Sequence, residues 1–221
     1  MENWIKFMEN NHNYKIQSMF DLFFDLDNNQ DLQNLKKYIL NNKEILDKGF
    51  IFTGVGKNWY ICEKLNKTFL SMGLKSQSLD PVHALHGDLG MVDGQIIFFI
   101  SKSGNTEELI RFAKILRALV SKGIKKCIMV GFCLNNQFEN TIYDYMIMPS
   151  EKYPKTNIYE FDNRNLIPSL SINIMQMVLD KFGVDIFESI PELVENYKWN
   201  HLAGENGRRL GVNKILEDLT K

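Results

Sequence analysis

Gln95-Ile96-Ile97-Phe98-Phe99-Ile100-Ser101-Lys102-Ser103-Gly104-Asn105-Thr106 decides the fold. Five apolar residues in a row, Ile96 to Ile100, have the length and β-branched or aromatic character of a strand buried on both faces. The polar turn Ser101–Thr106 follows at once. After it, Glu107–Lys122 places Leu109, Phe112, Ala113, Leu116 and Val120 on one helical face. A buried strand, a tight turn and an amphipathic helix are the first half of a βαβ unit.

The same grammar recurs on both sides. Upstream, Gly49-Phe50-Ile51-Phe52-Thr53 reads as a strand that turns through Gly54-Val55-Gly56 into a helix over about 57–72. Ser76–Leu79 reads as a short strand, with a helix or turn over Val82–Leu89. Downstream, Lys126–Phe132 and Tyr143–Met148 read as strands, and Ser169–Phe182 and Ile190–Tyr197 as helices. Leu, Ile and Phe at three- and four-residue spacings predict two N-terminal helices, Tyr14–Asp25 and Asp31–Leu46, broken at Asp27-Asn28-Asn29. Strands alternating with helices imply right-handed crossovers and a mainly parallel sheet of about five strands, covered on both faces. The expectation is an α/β three-layer sandwich of the flavodoxin-like kind, one domain over 1–221 with a helical N-terminal segment to about residue 48. Ligands of such sheets sit at the carboxyl ends of the strands.

Composition limits the partners. The 221 residues carry 26 Lys and Arg against 27 Asp and Glu, which gives no general attraction to nucleic acid or an anionic membrane. Any anion must be held locally. Three cysteines without a CxxC pair argue against a disulfide framework or structural zinc. The start lacks the basic and apolar regions of a signal peptide, and no apolar run approaches bilayer length. A soluble, cytoplasmic protein is expected.

Two turns have the chemistry to hold a phosphate. Thr53-Gly54-Val55-Gly56-Lys57-Asn58 offers close backbone approach, the first N–H groups of a helix and one ammonium. Ser101-Lys102-Ser103-Gly104-Asn105-Thr106 adds three hydroxyls and a second helix N-terminus, where the dipole favours an anion. Each has a plainer reading. The first is equally a tight turn. The second is equally an N-cap, with Asn105 capping and Glu108 completing a capping box.

These residues resemble a known family. Ser101-Lys102-Ser103-Gly104-Asn105-Thr106 is similar to the SxSGxT phosphate signature of SIS (sugar isomerase) domains. His86-Gly87-Asp88-Leu89-Gly90-Met91 matches the HGDLGM segment of the arabinose-5-phosphate isomerases. Thr53–Lys57 resembles their TGxGKSG turn, and His201–Leu210 follows the spacing of HPGGxLGRKL. The resemblance spans about residues 35 to 212. It implies interconversion of D-ribulose 5-phosphate and D-arabinose 5-phosphate through an enediol, towards 3-deoxy-D-manno-octulosonate for lipopolysaccharide or capsule. It implies no cofactor and no metal, and homotetramers whose subunits share sites.

Carried over residue by residue, the resemblance makes Glu160, Glu108, His86, His201 and Lys57 the catalytic set. Gly54, Gly56, Asn58, Ser101, Ser103, Gly104, Thr106 and Ser169 become substrate-binding residues. Glu160, with its pKa raised by burial, is the expected base, and Glu108 the alternative base or orienting partner. His86 or His201 would open the ring and move the hydroxyl proton. Each residue also has an ordinary reading: Glu160 as a solvated loop carboxylate, His201 in a tail, Lys57 covering apolar surface. His83 and His86 have metal-like spacing but need a third ligand, Asp80 or Asp88. The departures are real. Asn58-Trp59 stands where the family has Ser-Gly, and Asp80 precedes Pro81 where it has His; a single-domain member without the paired CBS domains is expected. Those changes keep open an isomerase of another phosphosugar, hexulose or heptulose, and a non-catalytic sugar-phosphate sensor.

Overall fold

The computed structural model describes residues 2–135, 141–150, 160 and 166–219. Five strands form one parallel sheet in the order β2-β1-β3-β4-β5, with β1 Phe50–Gly54, β2 Ser76–Ser78, β3 Ile96–Ser101, β4 Ile128–Cys133 and β5 Tyr145–Ile147. Register is continuous through the centre: Phe52 pairs with Phe98, which pairs with Val130. Strand β3 is central and buried along its whole length, as its unbroken apolar run requires.

Helices cover both faces. Successive side chains of a strand point to opposite sides, so β1 and β3 each feed two cores. Phe52, Phe98 and Ile100 pack with α1 (Glu2–Asp27), α2 (Gln30–Asn41), α4 (Lys57–Ser71) and α7 (Leu170–Glu188). Ile51, Ile97 and Phe99 pack with α5 (Pro81–Ala84) and α6 (Glu107–Ser121). Near the first core's centre, Phe69 of α4 meets Phe50 and Phe52 edge-on at 5.0 and 4.9 Å. Helix α7 closes on that ring at Gly183, where a Cβ would lie 2.6 Å from Phe69 Cε2.

Some boundaries differ from the sequence reading. Helix α1 extends back to Glu2, through a stretch without a readable apolar stripe, because adding residues to an existing helix is cheaper than starting one. The predicted helix 31–46 divides at Asn42, whose side chain donates to Tyr38 O while α3 (Lys43–Lys48) begins anew. After α8 (Pro191–Asn196) come a 3-10 turn (Tyr197–Asn200), α9 (Gly204–Arg209) and α10 (Val212–Leu219). The last two helices are not legible in the pattern.

Strand order reverses between β1 and β3. The connections leaving those neighbours run to opposite faces, which opens a crevice at their carboxyl ends. Both phosphate-type turns sit there: β1 ends at Gly54 and β3 at Ser101.

Candidate active site

The loop after β3 is held by its own hydroxyls. Ser101 is 1% exposed, and its Oγ accepts from Gly104 N at 3.0 Å and lies 3.0 Å from Thr106 Oγ1. Ser103 Oγ accepts from Asn105 N at 3.0 Å. Gly104 takes φ +73°, a left-handed conformation that side chains strain to adopt. The loop thus wraps the first turn of α6, whose early N–H groups have no partner within the helix. Thr106 is the N-cap and makes no side-chain cap bond. Glu108 stands one place too early for the capping box, so the capping reading of this loop fails.

The turn after β1 is tighter. A Cβ on Gly54 would meet Ile100 O at 3.1 Å, so glycine lets the two strand ends close together. Gly56 takes φ +64° with open space around it. Beside them, Thr53 Oγ1 and Asn58 Oδ1 are buried without a partner among the described residues, which is unusual for polar atoms out of water. Lys57 opens α4 and reaches Pro168 O at 3.4 Å. That contact ties the first turn to the segment before α7.

Glu160 is where the structure departs most from expectation. It is fully buried, which excludes the solvated-loop alternative, but its surroundings act against the expected shift. Its Oε1 accepts from Lys102 Nζ at 2.6 Å and from Ser171 Oγ; its Oε2 accepts from Ser169 N at 2.5 Å and Ser169 Oγ at 3.1 Å. Lys15 Nζ of α1 donates to its backbone carbonyl at 2.7 Å. Burial alone would push this carboxyl up, but the Lys102 ammonium and the Ser171 and Ser169 donors together hold it below its ordinary value. The expected upward shift is therefore corrected. A buried carboxylate with four donors is held firmly in place between the loop and the start of α7. The surrounding stretch 157–165 named in the sequence reading lies, apart from Glu160, outside the described residues.

The second carboxylate is the free one. Glu108 is exposed and makes no hydrogen bond or ion pair among the described residues. It lines a cavity of about 160 Å³ with His86, Arg111, Pro81, Val82 and Leu85. The cavity lies between α5 and the first turns of α6, beside the Ser101–Thr106 loop. Asp80 does not join a metal set with His83 and His86. It caps α5, accepting from Val82 N at 2.8 Å and His83 N at 3.0 Å. No group of three metal-type ligands occurs among the described residues.

His201 stands apart. Its neighbour Asn200 donates to Ser71 O at 3.3 Å, at the far end of α4. Since α4 begins at Lys57 and rises 1.5 Å per residue, His201 lies about 20 Å from the crevice of its own chain. There its ring packs on Tyr197, centroids 4.2 Å apart, with Nδ1 3.1 Å from Tyr197 O. The crevice thus gathers Gly54, Gly56, Lys57, Asn58, Ser101, Ser103, Gly104, Thr106, Ser169 and Glu160. His86 and Glu108 face the adjoining cavity, and His201 joins neither. Lys102, Ser171 and Arg111 escape the sequence reading. Lys102 alone carries a signal, a cation inside the hydroxyl-rich loop.

This crevice and its hydroxyl loop define the class. Residues 47–142, from before β1 to before β5, match the family model for the SIS domain. It is homologous to arabinose 5-phosphate isomerases: 26% identical over 166 residues to KdsD of Pseudomonas aeruginosa, covering 72% of this chain and 46% of that one. The corresponding figures for KpsF of Escherichia coli are 25% over 161 residues, 72% and 47%. An uncharacterized Chlamydia pneumoniae protein is 29% identical over 200 residues, 88% of this chain and 55% of its own. The chain spans about half the length, or less, of such curated relatives. Two solved structures share the fold. One, from Listeria monocytogenes and described as a candidate sugar-phosphate isomerase, has a TM-score of 0.68 at 20% identity, covering 88% of this chain and 96% of its own. The other, an Escherichia coli CFT073 protein in complex with arabinose 5-phosphate, has a TM-score of 0.62 at 23% identity, covering 85% and 91%. No described helix is long and apolar enough to cross a membrane.

Proposed function

We propose that this protein is an aldose–ketose isomerase that interconverts D-ribulose 5-phosphate and D-arabinose 5-phosphate through an enediol. The observation that carries the reading is the carboxylate of Glu108 lining the same cavity as His86, within a helical turn of an anion-type loop. A sensor of phosphate alone has no use for an unpaired base there. Homology to the arabinose 5-phosphate isomerases supports the sugar.

The phosphate dianion binds at Ser101, Ser103, Gly104 and Thr106, with Gly54, Gly56 and Asn58 across the crevice and Lys57 adding a charge. From there the open chain runs along α6 to Glu108. Glu108 takes the proton from C2 of the aldose, the C2–H pair becomes the C1–C2 double bond, and the carbonyl pair moves onto O1. Glu108, whose proton exchanges with solvent, then protonates C1 and gives the ketose. His86 opens the ring and moves the hydroxyl proton between O1 and O2. Glu160 holds Lys102 and Ser169 in place and touches no reacting atom. His201 serves a second copy's site, in a homo-oligomer within the cytoplasm. No step calls for a metal or cofactor.

The test is NMR of the purified protein with arabinose 5-phosphate in D2O, with ribose, fructose and sedoheptulose phosphates in parallel. Turnover of arabinose 5-phosphate with deuterium entering at C1 of the ribulose 5-phosphate formed is the expected result. E108Q lowers kcat by roughly 10²–10⁴, the usual size of acid–base catalysis, without lowering thermal stability. Wild-type turnover in E108Q removes Glu108 as the base. Silence of the wild type on all four sugars refutes the isomerase reading.

A further inference from the structure

We infer that Arg111 is an electrophilic residue of this site, which binds the oxygen at the phosphate-remote end of the ligand and stabilises negative charge there. The inference deepens the isomerase reading and rests on it for the identity of the ligand.

Arg111 lies three residues after Glu108 on α6, so both side chains leave the same face of the helix. That spacing permits an ion pair, yet neither residue makes a hydrogen bond or ion pair among the described residues. Both line the cavity, with Pro81, Val82 and Leu85 as its apolar wall. Arg111 is the only permanently charged cation among the lining residues. Lys57 belongs to the other side of the crevice, where it reaches Pro168 O. Lys102 is spent on Glu160.

The spacing suits a small phosphorylated polyol. Thr106 and Arg111 are five residues apart, about 7.5 Å along the helix axis. A phosphate at the loop therefore leaves the far end of an extended pentose near the guanidinium, with Glu108 in between. When Glu108 takes the C2 proton, charge collects on O1. A guanidinium beside an apolar wall, in hydrogen-bond reach of that oxygen, stabilises the charge as it develops. The step is redox-neutral: the C2–H bond breaks, Glu108 holds the proton, and Glu108 gives a proton, exchangeable with solvent, back to C1.

The experiment compares two 5-phosphates by calorimetry on the full chain. D-Arabinonate 5-phosphate carries a carboxylate at C1 and mimics the charged enediolate; D-arabinitol 5-phosphate carries a neutral hydroxymethyl group. The wild type prefers the aldonate by roughly tenfold or more, the size expected of a hydrogen bond to a charged group. R111Q loses the preference and binds the alditol phosphate as the wild type does. R111K recovers part of it. In turnover, R111Q lowers kcat while KM stays within about twofold, since the contact strengthens only as charge develops. The melting temperature of R111Q matches the wild type, because the side chain is exposed and makes no ion pair among the described residues. Three results overturn the inference: R111Q keeps the preference, R111Q weakens both ligands equally, or the wild type binds neither. An Arg111-dependent preference in a protein that interconverts no sugar would refute the isomerase reading and leave this site standing.

Discussion

Replacing Glu160 by glutamine separates a clamp from a base. The carboxylate is fully buried and takes donors on both oxygens: Lys102 and Ser171 on Oε1, and the N–H and hydroxyl of Ser169 on Oε2. A glutamine must turn its amide nitrogen towards one of those sets. Opposite Ser169 it meets a backbone N–H that cannot rotate away; opposite Oε1's partners it meets an ammonium. Breaking a buried ion pair by removing one partner costs roughly 3–5 kcal/mol. Lys102 is 16% exposed and recovers some hydration, so the lower end applies, about 3 kcal/mol. At about 2–4 °C per kcal/mol for a chain of this size, E160Q melts about 6–12 °C below the wild type at pH 7. The pH dependence follows from the sign of the shift. Folding lowers this carboxyl below its ordinary value of 4.5, so its contribution is full above that value. It fades as pH falls through the folded pKa. The gap between E160Q and wild type is therefore widest near neutrality and narrows below 4.5, as read by urea unfolding at both ends. Adding K102M to E160Q returns part of the loss, since the orphaned ammonium is then gone. E160Q melting within about 1 °C of wild type while losing all turnover would refute the clamp and restore Glu160 as the base.

Two further perturbations test the packing and the shared site. G183A places a Cβ 2.6 Å from a Phe69 ring pinned by Phe50 and Phe52. Overpacking of roughly 1–3 kcal/mol outweighs a helix-propensity gain of about 1 kcal/mol, and calorimetry should show a melting point about 2–4 °C lower. H201A and E108Q, each impaired alone, should restore activity when co-expressed if His201 completes a neighbour's site; no recovery of activity assigns His201 a local role against Tyr197.

What is legible follows from how far each interaction reaches along the chain. The buried run of β3, the two glycine turns and the α6 stripe are local, so their identities can be read directly. Helix α9, built on Gly204-Glu205-Asn206-Gly207-Arg208-Arg209, has no apolar stripe and is set by context. Resemblance finds Glu160 but not the direction in which its surroundings move the carboxyl. Its ion partner Lys102 lies 58 residues away, and no local pattern announces such a pair. The capping role open to Glu108 in the sequence depends on one residue of register, and the N-cap at Thr106 decides it. Arg111 has the spacing of an ordinary solvated face. Only the cavity shared with Glu108 and His86 distinguishes it.

Charge connects these outcomes. With a formal net charge of −1, the chain has no general field to draw in an anion, so selectivity rests on which cations near the crevice remain unneutralised. Lys102 stands within the phosphate-type loop, yet Glu160 takes its charge, leaving that loop to hold an anion by hydroxyls, N–H groups and the α6 dipole. On the proposed binding mode, Lys57 at the phosphate and Arg111 beyond Glu108 then place positive charge at the two ends of the ligand path. A monoanionic or neutral sugar gains little from such spacing. On the proposed mechanism, a sugar phosphate that develops further negative charge at its far end meets a cation there at the moment the charge appears.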